Sequence, residues 1–148
     1  MLTATPIYLD YNATSPLRPA AKEAMIAALG APSNPSSVHK FGREARLQVE
    51  TARQKIARLI GGRSDEVTFT SGGTEANNLV LSGFNTVIAS RIEHDAVLEA
   101  RRDALLVDVD DMGVIKLDKL AMLLSGLTAE DKKSTLVSIM AANNETGV

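Results

Sequence analysis

Apolar residues recur along this chain in two rhythms, and the two alternate. Between residues 43 and 60 they fall at Ala45, Val49, Ala52, Ile56 and Leu59, spaced 4, 3, 4 and 3. That spacing places them on one face of a helix, with Arg43, Glu50, Arg53 and Lys55 largely off it, and Gly61-Gly62 ends the segment. Pro19 to Leu29 is helical by the same test, with Gly30 as its stop. Further helices are predicted over 75–82, from His94 to Arg102, and from Lys116 to Leu124, the last with Leu117, Leu120, Leu123 and Leu124 in step and Gly126 beyond. Between them stand short apolar runs. Residues 66–70, centred on Val67-Thr68-Phe69, alternate like a strand and carry β-branched residues. Thr86–Ser90, Ala104–Val109 and Leu136–Met140 are the other predicted strands, the first and last of these compact enough to be buried on both faces.

The connections carry turn chemistry. Met1 to Thr5 reads as a loose start, and Ile7–Asp10 as a short extended segment running into the polar stretch Tyr11–Pro16. Ala31–Ser37 is a loop whose two prolines exclude regular helix, Asp110–Gly113 is a turn, and Thr128–Ser134 reads as a polar loop. Strands alternating with helices predict an α/β fold with a mainly parallel sheet and flanking helices. In such sheets ligands bind beyond the carboxyl ends of the strands. Three polar clusters are placed there by the pattern: Ser71–Thr74, Glu93-His94 and Asn143-Asn144-Glu145.

The first cluster belongs to Thr70-Ser71-Gly72-Gly73-Thr74-Glu75-Ala76-Asn77-Asn78, a strand, a turn and a helix start. Its glycines bend the backbone and leave amides uncovered. The first amides of a helix have no intrahelical partner and carry partial positive charge, so with the hydroxyls of Ser71 and Thr74 the turn suits a phosphate. The alternative is an ordinary capped turn with Thr74 as N-cap. The sequence is neither a GxGxxG fingerprint nor a P-loop.

Composition narrows the classes. At 148 residues, 45% hydrophobic, the chain is one domain's worth with enough apolar content for a packed core. Sixteen basic against 18 acidic residues, net −2, point to neither a nucleic-acid nor a membrane-surface partner. Two Tyr, three Phe and no Trp leave little for base stacking. No cysteine is present, which excludes disulfides, thiolate metal sites and a nucleophilic thiol, and no metal site is expected. No apolar run approaches the ~20 residues of a membrane span. The N-terminus lacks a signal pattern, so a cytoplasmic location is the default.

With the clusters in place, the chain resembles the cysteine desulfurases of the NifS/IscS type, pyridoxal 5'-phosphate (PLP) enzymes of the class V aminotransferase family. The resemblance rests on Tyr8-Leu9-Asp10-Tyr11-Asn12-Ala13-Thr14, Asn34-Pro35-Ser36-Ser37 with His39 and Gly42, Thr70–Asn78, Glu93-His94-Asp95-Ala96-Val97, and Val137–Met140 with Asn143–Val148. These motifs come in the family's order and run the length of the chain, about the first third of a typical member. The resemblance implies the PLP-dependent transferase fold type I. Residues 1–15 would be an N-terminal segment and 16–148 the N-terminal part of the PLP-binding large domain. The rest of that domain and the small domain would be absent.

The resemblance also implies roles. Gly73 and Thr74 would bind the cofactor phosphate. His94 would stack on the pyridine ring and take part in proton transfer. Asn144 would bond near the phenolic oxygen, with Asn143 the second choice. Glu75 and Asn78 would cap or support the turn, and Asn12 and the Asn34–Ser37 loop would lie near the site's mouth or a dimer partner. The segments Asn78–Ser90 and Arg101–Leu117 are shorter than in many relatives.

The family's reaction also needs a Schiff-base lysine, an aspartate paired with the pyridine nitrogen, and a cysteine that carries a persulfide. All three fall beyond the point matching Val148. Ser37-Val38-His39-Lys40-Phe41-Gly42 imitates the family's lysine motif, but Lys40 precedes the phosphate turn and its surroundings match the separate Asn-Pro-Ser-Ser motif. Lysines 22, 55, 116, 119, 132 and 133 read as solvated charges. The expected sheet is unfinished, because Leu136–Met140 would lie exposed on one edge. The expectation is therefore a piece of a larger unit. A complementary C-terminal chain or fragment would supply the missing groups, the complete unit would form a homodimer, L-cysteine would be the substrate and a sulfur-acceptor protein the recipient, as in iron–sulfur cluster biosynthesis. The alternatives are a selenocysteine lyase-like class V enzyme, or a non-catalytic scaffold half.

Overall fold

The computed structural model describes residues 6–30, 32 and 34–148. The expected loose start at 1–5, and positions 31 and 33 of the expected loop, lie outside the described residues. The chain divides into two compact units, Met1–Ala13 with Thr70–Val148, and Thr14–Phe69.

In the Thr14–Phe69 unit, α1 spans Pro19–Ala28 and α2 spans Lys40–Ile60. Pro19 opens α1, where a missing N–H costs nothing. The His39 ring caps α2: its Nδ1 accepts from the Gly42 amide at 3.3 Å. Gly61, at φ 71°, ends α2 in the left-handed conformation that glycine adopts without strain. The buried face of α2 is Gly42, Ala45 and Ala57, with Val49 and Arg53 half-buried. The expected stripe is only partly buried: Ala45 is inside, while Ala52, Ile56 and Leu59 are exposed.

The expected strand at 66–70 does not form. Ser64–Glu66 is a turn of 3-10 helix, Val67 is extended, and Val67–Thr70 pairs with no strand among the described residues. Arg53 explains part of this. Its Nη1 donates to the Val67 carbonyl, and its guanidinium lies 4.8 Å from the Phe69 ring centroid. A carbonyl that a ladder would use is thereby occupied by a side chain.

In the other unit the elements are α3 (Gly73–Leu81), β1 (Thr86–Ser90), α4 (Asp95–Leu98), β2 (Leu105–Val107), α5 (Leu117–Ser125), α6 (Ala129–Lys133) and β3 (Thr135–Ser138). The strands make a parallel sheet of order β2-β1-β3, with Ile88 opposite Leu105 and Val137. The core gathers Leu81, Val87, Ala89 and Val97, with Phe84, Ala100, Ala104 and Leu136 against it. Central β1 is buried on both faces, Val87, Ile88, Ala89 and Ser90 all being at most 2% exposed. β3 is an edge strand of this sheet and half-exposed, not buried on both faces as its apolar run suggests, with Val137 and the following Ile139 partly open to solvent.

Two helical expectations also change. The predicted His94–Arg102 helix is a single turn, Asp95–Leu98, although the Arg101 amide still bonds the Val97 carbonyl at 3.1 Å, and the Arg101 side chain reaches out of the segment. Its Nη1 donates to the carbonyls of Leu81 (2.9 Å) and Phe84 (2.7 Å), its Nη2 to that of Asn85 (3.0 Å), and its Nε to Asp103. This one side chain ties the α3–β1 connection to the turn after α4. The expected loop 128–134 instead holds α6, begun by a capping box in which Thr128 and Asp131 bond each other's backbone.

Candidate functional site

The turn at Thr70–Thr74 is built by its own side chains. Thr70 Oγ1 donates to the Gly72 carbonyl at 3.1 Å, and Asn78 Nδ2 donates to the Thr74 carbonyl at 2.8 Å. Gly72, not Thr74, is the N-cap of α3, and its backbone is extended. The first intrahelical bond runs from the Ala76 amide to the Gly72 carbonyl. The amides of Gly73, Thr74 and Glu75 therefore have no helical acceptor. A methyl added at Gly72 or Gly73 would meet nothing within 4 Å, so neither glycine is required here by a close approach.

Ser71 is committed elsewhere. Its amide and its hydroxyl both donate to Glu75 Oε2, each at 2.6 Å. The hydroxyl bond, with the amide bond behind it, holds the Glu75 carboxyl below the usual glutamate range. Of the donors in the Ser71–Thr74 cluster, the amides of Gly73 and Thr74 have no helical acceptor, while the amide and hydroxyl of Ser71 are committed to Glu75.

His94 and Asn144 stand on two neighbouring loops. His94 follows β1 and caps α4, its Nδ1 accepting from the Ala96 amide at 3.0 Å. An Nδ1 used as an acceptor leaves Nε2 as the nitrogen that presents N–H outward. Asn143 follows β3 and is 7% exposed. Its Oδ1 accepts from the amides of Glu145 (2.8 Å) and Thr146 (2.9 Å), and its Nδ2 donates to the Ile92 carbonyl at 3.0 Å. Asn143 is thus fully used in shaping the loop, while the Asn144 side chain is exposed and its backbone carbonyl accepts from Asn12 Nδ2 at 3.0 Å.

His94, Asn143 and Asn144 line one cleft of about 380 Å³, together with Arg91, Glu93 and Thr146. Gly73 and Thr74 do not line it; they begin α3, which packs on α4, the helix that His94 caps. Arg91 bonds Asp108 at 2.7 Å, and that bond holds the Asp108 carboxyl below its ordinary range. No lysine lines the cleft. Lys40 lies in the Thr14–Phe69 unit, where it starts α2 and pairs with Glu44 at 3.8 Å. A smaller hollow of about 260 Å³, lined by Ile92, Val114, Ile139, Met140 and Val148 among others, holds no titratable side chain.

The donor set fits a planar, phosphorylated ring in two respects. Open amides and a hydroxyl at a helix N-terminus suit a dianionic phosphate, and an exposed imidazole beside an uncommitted amide suits a polar aromatic ring. The sequence places Glu93 in a polar cluster and in the Glu93–Val97 motif but assigns it no role of its own. The structure gives it a specific place: it is 8% exposed and its Oε1 accepts from Ser90 Oγ and from the Met140 amide.

Comparison with known proteins gives a consistent picture. The aminotransferase class-V family model matches residues 7–148. A curated relative, the cysteine desulfurase IscS of Dictyoglomus turgidum, is 43% identical over 95% of this chain and 38% of its own length. The selenocysteine lyase of Bos taurus is 38% identical over 96% of this chain and 39% of its own length. Among solved structures, the NifS-like protein from Rickettsia africae superposes with a TM-score of 0.85 at 38% identity, covering 96% of this chain and 41% of that one. The chain thus spans about two fifths of the length of the relatives it matches.

Proposed function

The chain belongs to the aminotransferase class-V family, and from that membership we propose that it supplies the phosphate- and ring-binding part of a PLP-dependent cysteine desulfurase. The observation that carries the reading is the placement of His94 and the uncommitted Asn144 on one cleft beyond the ends of β1 and β3. The amides of Gly73 and Thr74 and the Thr74 hydroxyl would hold the phosphate. His94 would lie on the ring face, and its Nε2 is the nitrogen free to hold or pass a proton. Asn144 would orient the ring through its phenolic oxygen.

PLP, when bound, supplies an electron sink for bond breaking at the substrate's α- and β-carbons. The net reaction would convert L-cysteine to L-alanine while a second thiol takes up the sulfur as a persulfide. This chain has no cysteine and no lysine at its cleft. Those groups, with the pyridine-binding aspartate, belong to a complementary C-terminal portion in this reading. That portion would also pair with the free edge of β3 and cover Val137 and Ile139. The complete unit would act as a homodimer in the cytoplasm and deliver sulfur to an acceptor protein.

The test is native mass spectrometry of the untreated protein. The expected result is this 15.7 kDa chain associated with a longer companion whose mass includes PLP. Travel alone or only with copies of itself, without cofactor, favours the scaffold reading. Between cysteine and selenocysteine as substrate, relative turnover of the complete assembly decides.

A further inference from the structure

The ladder between β1 and β3 ends at the pair Ala89 and Ser138. Beyond it the two chains part, one into the loop carrying His94 and the other into the loop carrying Asn144. Two side chains span the gap. Asn143 Nδ2 reaches the Ile92 carbonyl. Glu93 Oε1 takes the Ser90 hydroxyl at 3.0 Å and the Met140 amide at 2.6 Å. Both bonds converge on one oxygen, and no ion pair among the described residues includes Glu93.

We propose that Glu93 is a positioning residue whose acceptor oxygen locks the His94 loop to the Asn144 loop and so sets the spacing of the two side chains across the cleft. This inference rests on the assignment of His94 and Asn144 to the cofactor ring. What the bond needs is reach and an acceptor. Ser90 Oγ–H and the Met140 N–H are neutral donors, and a glutamine oxygen serves them in the same place. An aspartate keeps the carboxyl group but is one methylene too short for Met140. A loose clamp at a site that must be held within a fraction of an ångström weakens whatever the site binds.

The experiment compares Glu93→Gln and Glu93→Asp in the protein as purified, companion included. Three readouts are taken: hydrogen exchange at the Met140 amide without cofactor, affinity for added PLP, and the visible spectrum of the bound cofactor. In Glu93→Asp, Met140 exchange is expected to speed up and PLP affinity to fall, each by about tenfold, the size of one lost hydrogen bond, with an altered spectrum. In Glu93→Gln all three stay within about twofold of the parent. A merely stabilising role would lower the melting temperature without changing the spectrum. Glutamine as damaging as aspartate, or aspartate without effect, overturns the proposal. Should Glu93→Asp fail to fold, Met140 protection in Glu93→Gln decides: kept, it supports the clamp; lost, it refutes it. Failure of the parent to bind PLP would instead strike the cofactor reading, and Met140 exchange would still report on the clamp.

Discussion

Ser71 gives both of its hydrogens to Glu75, amide and hydroxyl meeting Oε2 at 2.6 Å each. The carboxylate closes the turn from the first turn of α3 and removes Ser71 from the donors open to a ligand. Because the folded state holds the Glu75 carboxyl below its ordinary value of about 4.3, folding favours its charged form. The stabilisation is complete above the unfolded value and disappears as pH falls through the lower, folded one. Carbon NMR titration of the Glu75 carboxyl should give a midpoint below that of a free glutamate, and Ser71→Ala should move it back up. An ordinary midpoint in the parent would contradict the paired bonds.

His94 does two separable things. As N-cap its Nδ1 holds the Ala96 amide, and as a ring it faces the cleft. His94→Ala should lose about 1 kcal/mol of stability and impair PLP binding and turnover in the complete assembly. His94→Asn restores a capping oxygen, so it should recover the stability but not the turnover. Unchanged turnover in either variant would rule out the ring-stacking role.

The adjacent asparagines should separate cleanly. Asn143→Ala abandons two amides and the Ile92 carbonyl in a buried loop, and denaturant unfolding should show a loss of about 2–3 kcal/mol. Asn144→Ala should leave stability within about 0.5 kcal/mol while weakening PLP. The reverse pattern would exchange the two roles.

Gly42 is required by a close approach. A Cβ there would stand 2.1 Å from the Ser37 carbonyl oxygen and 2.6 Å from the Ser37 Cβ. The Ser37 loop is in turn held to α2, Arg46 Nε donating to the Pro35 carbonyl at 3.0 Å. Gly42→Ala should therefore cost about 3 kcal/mol by thermal or denaturant unfolding. A variant as stable as its parent would show that the loop moves aside freely.

Much of the architecture is legible in local pattern. Thr86–Ser90 is the predicted strand residue for residue, and α1, α3 and α5 match their predicted spans to within two residues. These segments carry their own signals: β-branched runs, helical spacing, and proline or glycine stops. Two of the misses involve a side chain whose partner is distant in sequence. Val67–Phe69 has strand chemistry, but Arg53, fourteen residues before Val67, takes the carbonyl there. His94–Arg102 has helical spacing but forms only one turn, and the Arg101 side chain serves carbonyls sixteen to twenty residues earlier, a tie that spacing does not show. The capping box of α6 was visible in Thr128 and Asp131 and was overridden by the polar look of the segment.

The order of motifs and the chemistry of the turn, of His94 and of the Asn143-Asn144 pair are properties of the sequence by itself. They follow from residue type and from neighbours a few positions away. Which donors stay open is a property of the tertiary structure. It commits Ser71 to Glu75 and Asn143 to the Ile92 carbonyl, leaves Asn144 uncommitted, and turns Glu93 inward as the link between the ends of two strands. A hydrogen bond is exclusive, and residues 47 and 51 positions apart compete for it only once the sheet has brought Glu93 to Met140 and Asn143 to Ile92.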